Sequence, residues 1–412
     1  MKRTRVSERL RTMVPGIVSA ASDNDPTTVA SLAVIGSTTV YTLGWLVLLV
    51  IPMLAAIQAI SSQIGAVTKR GLEDLVRRRH GAFAAIVVLV AVLCVNILTF
   101  AADLEGGASA LQLLSHVSYL WWIVPLAAVS LAVLILGNYA KIERILVYIP
   151  LAFITYVIAA FLAHPHWGDV LRGTFLPHIR RTQDYFAGAI ALLGTTLTAY
   201  AYVWQQVEMT EEPPPIRRIG LVQLDATGGA VAAGVTFWFI VVATGATLGV
   251  THRHVQTAAE AASALAPVAG RFAPYLFGVG LLGSALLALP VLLATSAYVV
   301  SEMFRWVAKL DAGFFRAQRF YSTMLVIAVI GCGIAFAGIS PISLLFTSSI
   351  VGGIATPVTL VFMLLAANDT ASMGEHTVAP WLRFVGWATT AVVTFAAIAF
   401  LVTTFDPHVL GS

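Results

Sequence analysis

Long apolar runs separated by short polar segments recur along the whole chain. A helix needs roughly 20 apolar residues to cross about 30 Å of hydrocarbon. On that measure the pattern predicts eleven membrane spans, at residues 14–37, 39–64, 82–103, 117–137, 145–163, 186–205, 227–250, 273–301, 320–338, 341–366 and 381–404. Two spans are interrupted. Span one carries Ser22-Asp23-Asn24-Asp25-Pro26-Thr27-Thr28 between apolar halves, and span six carries Gly194-Thr195-Thr196-Leu197-Thr198-Ala199-Tyr200. Pro26 removes a backbone donor and clashes with the preceding turn. The hydroxyls of span six can satisfy backbone groups freed by a break.

Five spans separate the interruptions, and an odd-numbered repeat places its second copy upside down. Paired broken helices in inverted halves mark the binding site of a secondary transporter. The expected organisation is a cytoplasmic tail (1–12), a first repeat with helices one to five (13–163), a second with helices six to ten (186–366), and an appended helix eleven (381–404). The fold class is all-α integral membrane, a 5+5 inverted repeat broken at helices 1 and 6.

Composition removes the soluble alternatives. The 412 residues are 58% hydrophobic and 11% charged, with mean hydropathy +0.87, where a soluble domain carries about 25% charged residues. The pI near 9.1 does not indicate a nucleic-acid partner, because net charge is only +4 and the basic residues lie in short separated loops. Their distribution sets orientation. With the N-terminus cytoplasmic, 19 of the 24 Lys and Arg residues face the cytoplasm, and only Arg172, Arg180, Arg181, Arg253 and Arg271 face outward. Eleven spans then leave the C-terminus outside. The basic, apolar start resembles a cleavable leader, but Pro15-Gly16 breaks its short apolar patch and no cleavage is expected.

Cys94 and Cys332 read as packing residues within apolar runs. Trp45, Trp121, Trp122 and Trp381 read as interfacial anchors. The external His164, His166, His178, His252 and His254 read as ordinary loop residues, lacking a zinc-site spacing.

Acidic residues within spans carry the candidate chemistry, since they are costly in a membrane. Asp25 reads either as an anionic metal ligand or as a helix-capping aspartate. Asp23 reads as a cavity-lining group or the partner of a basic residue. Asp103, after span three, is either a pathway group or an exposed helix-end charge. Glu302 and Asp225 read as solvated or paired groups at cytoplasmic helix ends.

Several stretches resemble the Nramp family of divalent-metal transporters, and more closely its magnesium-transporter branch. Gly16 to Pro26 is similar to the family's first helix, and Pro52 to Arg79 to helix two and its loop. Leu192 to Thr196 with Trp204-Gln205 is similar to helix six of the magnesium branch. Leu289-Pro290-Val291-Leu292 resembles part of helix eight, and Ile339 to Phe346 part of helix ten. The resemblance implies a leucine-transporter fold with a cation site between helices one and six. The chain departs from the family in places. Asp-Pro-Gly-Asn is here Asp25-Pro26-Thr27-Thr28, the metal-binding Met falls on Thr198, and the proton-linked His falls on Tyr200.

A thioether favours softer metals, so Thr198 in its place leaves an all-oxygen site. The expected metal ligands are Asp25, Thr28, Ser22, Thr195 and Thr198, with Asp23, Tyr200 and Asp103 in the pathway or gate. Such oxygens suit Mg²⁺, which retains several waters, and also Mn²⁺. The small side chains at Thr28, Thr198 and Ala199 leave room for a hydrated ion. The expected function is secondary transport of a divalent cation into the cytoplasm across the inner membrane. The expected partners are lipid and the transported ion, with no resident cofactor and no obligate protein partner. Alternatives are a proton-coupled transition-metal importer of ordinary Nramp type or an organic-solute carrier of the same fold. Asp25 would repel a substrate carboxylate in the last. An enzyme using Asp23 and Asp25 as an acid/base pair fits a proline between half-helices less well. No Gly-x-x-x-x-Gly-Lys-Ser/Thr loop supports ATP-driven pumping.

Overall fold

The computed structural model describes residues 24–136, 155–211, 214–215, 219–251, 255–310 and 313–405. Among them there are helices and no strands. The main helices are α1 (Pro26–Thr39), α2 (Gly44–Thr68), α3 (Leu72–Ser115), α4 (Leu120–Ile135), α5 (Thr155–Leu162), α6 (Trp167–Phe175) and α7 (Gln183–Thr196). They continue as α8 (Ala199–Glu211), α9 (Ile219–Thr247), α10 (Ala273–Phe304), α11 (Gln318–Ala335), α12 (Pro341–Ala367) and α13 (Pro380–Phe405).

Eight helical segments among the described residues, the α7–α8 pair counted as one, are long and apolar enough to cross a membrane. The other three expected spans correspond to α1, α4 and α5. The rest of spans one and five, 14–23 and 145–154, lies outside the described residues. Outward-facing side chains such as Phe83, Val90, Val329, Phe384 and Phe395 are exposed. That is the surface of a body whose solvent is hydrocarbon.

Span three differs from its expected limits. Gly81, at φ 86°, separates a leading helical stretch from the spanning helix, as the expected start at residue 82 requires. The helix then continues to Ser115, well past 103. Asp103-Leu104-Glu105-Gly106 resembles a span end in sequence, yet all four residues are buried in mid-helix. The exposed helix-end reading of Asp103 is therefore wrong. A partner on α1 keeps this carboxylate inside.

α3 packs along α10, and α12 lies against both α3 and α7. α9 packs on α1 and α2. Glycines set the closest approach. A Cβ at Gly194 of α7 would lie 1.9 Å from the Ser349 carbonyl oxygen and 2.2 Å from the Gly353 nitrogen, both on α12. No side chain fits between these backbones.

Some peripheral expectations change. Trp121 and Trp381 are exposed, as anchors should be, but Trp45 donates to the Tyr185 hydroxyl at 3.1 Å and Trp122 is half-buried. Both cysteines are free, and Cys94 faces outward instead of packing inside. Glu302 is half-buried, and its carboxylate accepts from the backbone N–H groups of Glu73 and Asp74. It caps the start of α3, where Gly71 offers no side chain to do so.

Candidate functional site

Proline fixes the start of α1. Pro26 sits at the first helical position, where its missing N–H costs nothing, and Asp25 precedes it with extended backbone (φ −64°, ψ 165°). Four N–H groups at a helix start lack intrahelical partners. The Asp25 Oδ1 accepts one of them, from Thr28, at 2.6 Å. Asp25 is thus a capping aspartate, but capping occupies only one of its oxygens. The other, Oδ2, accepts from the Tyr200 hydroxyl at 2.7 Å. The side chain is 1% exposed.

Tyr200 is there because span six is broken. α7 ends at Thr196, Leu197 leaves the helical region (φ −108°, ψ 35°), and α8 begins at Ala199. Thr198 lies in the gap and is 6% exposed. The break frees the Leu197 carbonyl, which accepts from Thr356 of α12 at 3.2 Å. A hydroxyl on a neighbouring helix thus satisfies an interrupted ladder, as the interior of a membrane demands.

The start of α1 and the break in span six meet. The Thr28 and Thr195 hydroxyls share a hydrogen bond of 2.8 Å. Asp25, Thr28, Thr195 and Tyr200, separated by up to 175 positions, thereby form one buried cluster of oxygens between α1, α7 and α8. Thr198 occupies the adjoining gap. Ser22 and Asp23 lie outside the described residues.

Asp103 joins from the other side. Its Oδ1 accepts from the Thr27 N–H at 2.9 Å and from the Thr27 hydroxyl at 2.6 Å, while its Oδ2 has no partner. Asp25 and Asp103 thus serve consecutive N–H groups at the same helix start. The N-terminal end of a helix carries partial positive charge, which suits carboxylates there.

The sequence reading missed the contribution of α12. Ser349 pairs with Ser31 of α1 at 2.6 Å, Ser348 with Thr99 of α3 at 3.0 Å, and Thr359 with the Tyr202 hydroxyl. With Thr356 these hydroxyls recur on one face of an otherwise apolar helix, together with Gly352 and Gly353. Their three- to four-residue spacing was a readable signal of a polar stripe. It also missed Glu105, whose carboxylate is buried without a partner. Among the described residues no three His, Cys, Asp or Glu side chains converge to hold a metal. The donors that the described residues offer here are carboxylate, hydroxyl and carbonyl oxygens, a hard set.

Solved structures with the same fold include the Eremococcus coleocola manganese transporter in complex with an aromatic bis-isothiourea compound. It aligns with a TM-score of 0.74 at 16% identity, over 97% of this chain and 88% of that one. Mhp1, a nucleobase-cation-symport-1 family transporter, aligns with a TM-score of 0.61 at 15% identity, over 97% and 93% of the two chains. These likenesses show the leucine-transporter-like fold that the resemblance implied. In sequence, the chain is 24% identical to the divalent metal cation transporter MntH of Aeromonas hydrophila, over 93% of this chain and 94% of that protein. It is 25% identical to MntH of Mycobacterium tuberculosis (H37Rv), over 92% and 88%. The Nramp family model, described as natural resistance-associated macrophage protein-like, matches residues 16–403. With almost the whole chain matched, the protein belongs to the Nramp family.

Proposed function

We propose that this chain imports a divalent cation, with Mg²⁺ or Mn²⁺ preferred, across the inner membrane into the cytoplasm. The observation that carries this reading is the Asp25 carboxylate, buried where the start of α1 meets the break between α7 and α8, with the hydroxyls of Thr28, Thr195 and Tyr200 around it. One negative charge in a dry oxygen-lined pocket favours a cation and disfavours a carboxylate-bearing solute. The relatives named divalent metal cation transporters support the substrate class. Thr198, at the position of the family's thioether, supports the preference for hard cations.

The ligands in this reading are Asp25, Thr28, Thr195 and Thr198, joined by Ser22, with Asp23, Tyr200 and Asp103 along the pathway. The halves 13–163 and 186–366 move against each other around the site. The positive-inside distribution supports a cytoplasmic N-terminus and an external C-terminus.

Uptake into liposomes of purified protein, comparing Mg²⁺, Mn²⁺ and Ca²⁺, tests the proposal. The expected result is saturable uptake of Mg²⁺ or Mn²⁺ that Asp25→Asn abolishes. Uptake of neither ion, with the protein folded, overturns it.

A further inference from the structure

Glu73 holds a buried carboxylate with nothing opposite it. It lies in the first turn of α3, is 0% exposed, and neither of its oxygens accepts a hydrogen bond. The ion pairs among the described residues involve Asp74 and Asp369 and leave Glu73 out. The Arg77 guanidinium, one turn along, is spent on the Met303 carbonyl. Buried charges are ordinarily paired or coordinate a metal.

A second carboxylate lies beside it. Glu302, at the end of α10, accepts from the Glu73 and Asp74 N–H groups. It presses on Gly71, where an added Cβ would lie 1.7 Å from its Oε1. The helix start neutralises Glu302 in part, and no donor remains for Glu73. On the facing side, Tyr202 of α8 is within electrostatic reach of Glu73. One turn further along α8, Gln206 donates its Nε2 to the Arg70 carbonyl at 2.9 Å, and its Oε1 is buried without a partner.

We propose that Glu73, Glu302 and the Gln206 Oε1 form a second divalent-cation site, on the cytoplasmic limb of the route from Asp25. The inference rests on reading the chain as a divalent-cation importer and adds a waypoint to that route. Continuity comes from α8. Tyr200 touches Asp25, and Gln206 lies six residues on, about 9 Å along the helix. Two carboxylates and an amide oxygen leave most of the ion's shell to water, which suits Mg²⁺ and Mn²⁺. In this structure the site is closed by the hydrogen bonds of Arg77 to Met303 and of Gln206 to Arg70. Both join the α3 leader to the elements around it, so opening them exposes Glu73 to the cytoplasm. A purely structural, permanently protonated Glu73 makes the opposite prediction, because glutamine would replace it without loss.

The test is equilibrium Mn²⁺ binding to the full-length protein in detergent, by isothermal titration calorimetry, with Mn²⁺ uptake in liposomes alongside. Wild type is expected to bind two ions. Asp25→Asn should lose one and Glu73→Gln the other. Loss of outer-sphere partners alone weakens metal sites about 10- to 100-fold, so loss of a charged donor should weaken the second site at least about tenfold. Glu73→Gln should also lower the maximal uptake rate while leaving KM unchanged. If Glu73→Gln proves unfolded, Glu302→Gln, whose amide oxygen still caps α3, should lose the same ion. One ion bound by wild type and lost in Asp25→Asn, or two ions retained in either glutamine variant, overturns the second site and leaves the transport reading standing. Neither Mn²⁺ nor Mg²⁺ bound, and uptake of neither, overturns both.

Discussion

The Tyr200 hydroxyl donates to the Asp25 Oδ2 at 2.7 Å, bridging the start of α1 and the break between α7 and α8 through a buried carboxylate. A hydrogen bond to a charged group contributes about 1.5–3 kcal/mol. The same oxygen must turn to an arriving cation, so tyrosine and ion compete for it. Tyr200→Phe should therefore lower the unfolding temperature of the metal-free protein. It should also enlarge the stabilisation produced by Mn²⁺, because the ion no longer displaces a donor. Thermal scans with and without Mn²⁺ check both effects. Loss of metal-induced stabilisation would instead make Tyr200 a ligand.

Asp25 has two duties that substitution can separate. Asparagine is as good an N-cap as aspartate, whereas alanine costs about 1 kcal/mol. Asp25→Asn should keep the cap, lose only the charge assistance of the Tyr200 bond and abolish divalent-cation uptake, and Asp25→Ala should lose cap, bond and uptake. Uptake by Asp25→Asn near the wild-type rate would remove Asp25 from the ion site.

Thr198 stands in the gap between α7 and α8. Thr198→Met supplies a soft ligand and should raise the ratio of Mn²⁺ to Mg²⁺ uptake, with a larger gain for Cd²⁺. An unchanged ratio in competition assays would place Thr198 away from the ion.

Energy coupling follows from what replaces the family's histidine. A free tyrosine has a pKa of about 10 and rarely yields a proton near neutrality. The membrane potential already supplies about 2.3 kcal/mol per charge per 100 mV, and a divalent ion gains twice that. Uptake should be driven by the potential, with little or no proton influx when the potential is clamped. Acidification of the liposome lumen at a fixed ratio to metal would contradict this. Asp103→Asn would then identify the carrier, since its Oδ1 can keep both bonds from Thr27.

The α7–α12 crossing offers a test of packing alone. Overpacking a core typically costs about 1–3 kcal/mol, and the atoms facing Gly194 are backbone, which cannot rotate away. Gly194→Ala should lower thermal stability by at least that amount. It should also reduce uptake, because Ser349 and Gly353 move with the helix that holds Leu197.

The spans, the helix start at Asp25-Pro26 and the weakness at Thr198 were legible in the sequence because each has a local cause. Twenty apolar residues in hydrocarbon close their backbone hydrogen bonds within one helix, and a proline just after a capping aspartate marks a helix start. The meeting of that start with the break in span six also followed from their five-span spacing. Only the packed bundle decided which oxygens face one another. Thr27 with Asp103, Thr28 with Thr195 and Tyr200 with Asp25 are pairs 76, 167 and 175 residues apart. Their match depends on helix rotation and depth, which hydropathy does not encode. For the same reason Asp103-Leu104-Glu105 looked like a span end. Polar residues close a span unless a partner on another helix receives them, and Thr27 supplies one for Asp103. The cap that Glu302 lends to α3 and the polar stripe of α12 likewise exist only once helices distant in sequence are side by side.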